Sequence, residues 1–178
     1  MLLKEQEDTL KEIPEDAIAH VHSFDEGARV VGTRIVEDLK IALPGSTVMH
    51  LGATKIGIAG ANEVDIFVIS HMNYDAAKRT ISSIFGEPVQ SDDTARSSTW
   101  TSARDEYHVE VFLSAEISPR IQDFIDTQRV LEARGDLRSE FDRLKFSFDG
   151  KSLREYTKGK FEFFNRTVRP HVAPGALL

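Results

Sequence analysis

The stretch MHLGATKIGIAGANEVDIFVIS, residues 49–70, sets a glycine-bearing loop between two apolar runs. The second run, VDIFVIS (64–70), is rich in β-branched and aromatic residues and reads as a strand, as does STVMHL (46–51) before the loop. Two acids, Glu63 and Asp65, stand at the mouth of a run that otherwise reads as buried. Strand side chains alternate, so both acids point to one face, roughly 6.6 Å apart along the chain. In the loop, Gly52, Gly57 and Gly60 allow backbone N–H groups close to a phosphate, and Thr54 and Lys55 add a hydroxyl and a charge. The loop has neither of the common nucleotide fingerprints, G-x-x-x-x-G-K-[ST] or G-x-G-x-x-G.

Working outward, residues 1–17 read as a peripheral segment with a short helix interrupted at Pro14, and AIAHVHSF (17–24) alternates like an edge strand. Ser23 and Glu26 form a Ser-x-x-Glu capping box for a helix that runs toward Leu43 and stops at Pro44-Gly45. NYDAAKRTISSIFG (73–86) is a second helix, closed by Gly86. SSTWTSA (97–103) and YHVEVFLS (107–114) are strands joined by a turn, giving a sheet of four or five strands. From residue 118 the pattern turns helical in three segments punctuated by Gly135 and Gly150. Strands first and a helical block last predict an α+β domain over residues 1–178, with its C-terminal helices in 118–166. Trp100 is expected on a sheet face, either in the core or flooring a cleft.

In YHVEVFLS the alternation puts His108, Glu110 and Phe112 on one face, with Glu110 in mid-strand. If this strand neighbours VDIFVIS, then Glu63, Asp65 and Glu110 make one acidic patch that repels itself without a cation. Magnesium is the fitting partner, a hard ion that takes carboxylate oxygens and leaves positions for phosphate oxygens. Two such ions can clamp the attacking and leaving oxygens of a nucleotidyl transfer. The competing reading is structural: the Glu63–Asp65 pair as a solvated loop end, and Glu110 on the wet side of a one-faced sheet. His20, His22, His50, His71 and His108 have no recognisable metal spacing.

The chain carries 22 Lys+Arg against 29 Asp+Glu for a formal charge of −7, which disfavours nucleic acid as a partner. Hydrophobic residues at 40% and charged residues at 29% suit a globular protein. The absence of cysteine, of an apolar export segment and of any run long enough for a membrane span leads to the expectation of a cytoplasmic protein with no membrane partner.

The ordered motifs resemble the GrpB-like family, a branch of the nucleotidyltransferase superfamily. They are HLGAT (50–54), VDIFVIS (64–70), HVEVFLS (108–114), EFDRLK (140–145) and YTKGKFEFF (156–164), together covering roughly residues 18 to 166. The resemblance implies a nucleotidyltransferase-like fold, a small mixed sheet with helices packed on it. It also implies a site in which the loop Gly52-Ala53-Thr54-Lys55 holds triphosphate and Glu63, Asp65 and Glu110 hold magnesium and carry the catalysis. Lys145, Tyr156 and Lys160 fall on family positions and are implied nucleotide contacts. Ala53 stands where the superfamily loop has Ser, and Ala61-Asn62 where GrpB-like relatives have Lys-Pro. The expected activity is magnesium-dependent transfer of a nucleotidyl group from a nucleoside triphosphate to an unknown hydroxyl acceptor. The alternative is a catalytically silent binding module with the same fold.

Overall fold

The structure, a computed structural model, describes residues 2–172. The chain divides into two compact units, one of residues 24–57 and 62–124, the other of residues 2–23, 58–61 and 125–172.

The first unit is built on a five-stranded sheet. Its strands are β1 (Thr47–Leu51), β2 (Val64–Ile69), β3 (Gln90–Asp92), β4 (Ser97–Arg104) and β5 (Tyr107–Ser114), in the order β1-β2-β5-β4-β3. β2 runs parallel to β5 and the other pairs are antiparallel, so the sheet is mixed as expected. Its three helices are α2 (Glu26–Ala42), the single turn α3 (Ala53–Ile56) and α4 (Tyr74–Phe85), and the chain leaves through the start of α5 (Pro119–Ala133).

One face of the sheet is covered by α2 and α4. Ala28, Val31, Ile35 and Leu39 recur at helical spacing along α2, and Tyr74, Ala77 and Ile81 do so along α4. They pack on Val64, Ile66, Val68, Val109, Val111 and Leu113 in a single core. Trp100 belongs to this core, fully buried, with its indole N–H donating to the Gly86 carbonyl at 3.0 Å. That settles its place in favour of packing. The cap of α2 is Asp25 rather than Ser23: its carboxylate accepts from the Gly27 N–H at 2.8 Å. Asp25 also accepts from the Tyr107 hydroxyl at 2.8 Å, which raises the Tyr107 pKa and ties the β5 end to the helix start.

The second unit is helical, with α1 (Lys4–Glu12), the remainder of α5, α6 (Gly135–Phe146) and α7 (Leu153–Phe163), which runs on through a wide turn at Phe164–Val168. AIAHVHSF is not a sheet strand. It makes only isolated bridges, Ile18 with Ser152 and His22 with Gly60. The alternation was real, but its backbone bonds go to the loop before α7: Ala19 N–H to Lys151 O at 2.8 Å, Leu153 N–H to Ala17 O at 2.8 Å, and Val21 N–H to the Asp149 carboxylate at 2.9 Å. No helix among the described residues is long and apolar enough to cross a membrane.

β4 and β5 are joined by Asp105 and Glu106, both at positive φ (48° and 72°), between the paired Arg104 and Tyr107. Such a two-residue hairpin turn favours glycine at its second position. Glu106→Gly should raise the urea midpoint by an amount equivalent to about 0.5–1 kcal/mol, the relief of left-handed strain less the entropy glycine adds to the unfolded chain. Urea unfolding of the two proteins measures it.

Candidate functional site

The sheet face opposite the α2/α4 core carries the acids. Leu51, Asp65, Glu110 and Thr101 are successive partners across β1, β2, β5 and β4. Asp65 and Glu110 are half-buried, while Val64, Ile66, Val109 and Val111 beside them in sequence are wholly buried on the other side. Parallel neighbours lie about 4.8 Å apart, so the two carboxylates stand side by side. His108 shares their face, with its Nε2 at 3.5 Å from Glu110 Oε1. Glu63 is exposed and precedes the β2 ladder. Among the described residues no three His, Asp or Glu side chains gather closely enough to hold a metal ion; Asp65 and Glu110 are cross-strand partners, and Glu63 stands one residue before their ladder.

The glycine loop meets this pair directly. Gly52, at φ 89°, ends β1, and a Cβ on it would collide with Asp65 Oδ2. Only glycine combines that backbone with so close a carboxylate. The next residues make the single turn α3, closed by Gly57 at φ 73° with its N–H on the Ala53 carbonyl at 3.0 Å.

Thr54 points inward and is 1% exposed. Its Oγ1 donates to the Glu63 carbonyl at 2.8 Å and lies 3.0 Å from His50 Nε2. With the hydroxyl proton already used, His50 must be the donor there, which assigns its proton to Nε2. His50 is buried, and a Cβ on Gly32 of α2 would run into its ring. Burial, reinforced by the Lys55 charge, pushes the His50 pKa down to about 4. Lys55 itself lines an open groove with Glu26, Arg29, Arg34 and Glu37 of α2.

The three remaining sequence candidates belong to the helical unit. Lys145 is 5% exposed; its Nζ donates to the Ala59 carbonyl at 2.8 Å and sits 4.8 Å from the centre of the Phe141 ring. One turn earlier, Asp142 accepts the Ala59 N–H at 2.7 Å, so two side chains of α6 hold both backbone groups of a single residue. Lys160 Nζ lies over the Tyr156 ring at 4.4 Å. Asp142 and the inward role of His50 were not read from the sequence. For His50 the signal was present: it alternates with Val48 and therefore faces α2.

Because folded His50 resists protonation down to about pH 4 while the unfolded chain accepts a proton near 6.5, the unfolded state binds more protons between those values. Stability therefore falls as pH drops through this window, by up to about 3 kcal/mol, and is flat with respect to this group above it. Urea unfolding at a series of pH values should show the parent losing up to about 1.4 kcal/mol per unit more than His50→Gln between pH 6 and 4.5.

No protein-family model matches the sequence, and no curated protein sequence matches it. Among solved structures, the conserved protein GrpB from Enterococcus faecalis superposes with a TM-score of 0.63 at 16% identity, covering 85% of this chain and 98% of that one. Cid1, described for RNA terminal uridylyl transferase activity, gives a TM-score of 0.49 at 15% identity, covering 79% of this chain and 43% of its own. A magnesium and 3′-dATP complex of Cid1 poly(U) polymerase gives 0.47 at 14% identity, covering 79% and 43%. At 16% identity the likeness to GrpB establishes architecture alone, and it is the α+β architecture that the ordered motifs implied: the chain has the GrpB fold.

Proposed function

We propose that the protein is a magnesium-dependent nucleotidyltransferase whose acidic centre is Asp65 and Glu110. The observation that carries the reading is their register on the sheet face opposite the α2/α4 core, with the Gly52 backbone against Asp65. A magnesium ion is commonly held by one or two carboxylates, with water and phosphate oxygens in its other positions, so this pair fits one ion. Glu63, two residues upstream of Asp65, is the remaining acidic candidate. When bound, the ion would supply charge neutralisation to phosphate oxygens.

The chain's own contribution is placement. Gly52 and Ala53 offer backbone to a phosphate without a side chain in the way. Glu110 and Asp65 present carboxylate oxygens to the proton of an acceptor hydroxyl, and the half-buried setting strengthens those interactions relative to water. The acceptor is unassigned. The argument against nucleic acid rested on net charge alone and finds no further support, since Cid1 is named for activity on RNA. A nucleoside triphosphate as donor and a cytoplasmic setting belong to the same proposal.

A binding module without catalysis is the second reading. It is favoured by Ala53 in place of a hydroxyl-bearing residue, by the internal use of the Thr54 hydroxyl, and by the lack of a gathered three-acid group among the described residues.

Thermal unfolding with each nucleoside triphosphate plus magnesium separates the two. At 100 times its dissociation constant a ligand of the native state adds about 2.7 kcal/mol, roughly 5–10 °C in a protein of this length. The parent should shift with both components, and Asp65→Asn and Glu110→Gln should not. Equal shifts in parent and variants would remove the metal assignment. A shift without pyrophosphate release would favour the binding module.

A further inference from the structure

We infer that Thr54, held by His50, is a positioning residue that fixes the acidic strand against the glycine loop, and that its hydroxyl makes no contact with substrate phosphate. The inference rests on the proposed acidic centre for its functional consequence, but its structural part stands apart from it.

A threonine hydroxyl has one proton and two acceptor lone pairs. In Thr54 the proton goes to the Glu63 carbonyl and one lone pair receives the His50 N–H, in a side chain that solvent scarcely reaches. Nothing is left to donate to an incoming anion. The two contacts have a definite place in the fold: the β1–β2 ladder reaches its last pair at Leu51 and Asp65. Beyond it the chain leaves through Gly52 and α3 on one side and returns through Glu63 on the other. The Thr54–Glu63 bond spans that opening as a side-chain rung. It lashes together the two segments that bring the Gly52 backbone and the Asp65 carboxylate into contact.

His50 suits this task because it is buried and neutral, with its ring seated against Gly32 of α2. It therefore carries the position of α2 into the loop. A mobile donor would tie the hydroxyl less firmly.

Two readouts on Thr54→Val, which keeps the shape and removes the hydroxyl, test the inference. The first is amide hydrogen exchange of the protein without ligand, which should accelerate roughly tenfold at Val64 and Asp65. The second is the melting shift caused by a mixture of ATP, GTP, CTP and UTP with magnesium, which should fall to less than half of the parental value. Thr54→Ser, which retains the hydroxyl, should match the parent in both. Exchange at the parental rate in Thr54→Val overturns the positioning role whatever the ligand does. Faster exchange with a full ligand shift overturns its connection to the site. A serine variant that fails as the valine variant does shows that the hydroxyl is not the cause. If the parent itself gives no shift, the functional reading falls, and the exchange arm still decides whether Thr54 sets the strand. Should Thr54→Val not fold, His50→Leu removes only the donor and is expected to accelerate the same amides about threefold; no acceleration there overturns the inference.

Discussion

The parallel register of β2 against β5 is the constraint on which the sheet unit depends. It places Val64, Ile66 and Val68 beside Val109, Val111 and Leu113 in the middle of the sheet, where α2 and α4 bury them. Each such side chain contributes roughly 1.5–3 kcal/mol when removed from water. The same register leaves Asp65 beside Glu110 on the other face. A slip of β2 by one residue against β5 would send the Asp65 carboxylate into the apolar core under α2 and α4 and displace Val64, Ile66 and Val68 from it, so burial energy on one face holds the acids in line on the other.

Two groups of inward-turned polar side chains take their partners from nearby backbone and side chains. Thr54 and His50 are buried because each satisfies the other and because the Glu63 carbonyl takes the remaining proton. In the helical unit, Lys145 and Asp142 achieve the same for Ala59, one donating to its carbonyl and the other accepting its N–H. A buried ammonium is costly without such an acceptor, and the Phe141 ring beneath it adds a favourable electrostatic contact. In both places a residue type associated with phosphate binding acts as a strut for backbone.

Glycine has a comparable role in this fold. At Gly52 its missing side chain admits the Asp65 carboxylate, and at Gly32 it admits the His50 ring. The first lies at the acidic face and the second under the helix-covered face, so the loop between β1 and β2 is shaped by close approaches on both sides of the sheet.

The sequence by itself determined the element types and the alternation along each strand: the strands holding Asp65 and Glu110, the helices with their apolar stripes, and the order of motifs that resembles GrpB. These are legible because side-chain period and glycine placement are local properties of the chain. Tertiary structure alone decided which strands became neighbours, that AIAHVHSF would bond to the loop before α7 instead of joining the sheet, and that Glu63 would stand outside the ladder. It also decided the partners of Thr54 and Lys145. Their side chains look alike in sequence whether they face a ligand or a carbonyl, because the partner that satisfies them lies 9 residues away in one case and 86 in the other.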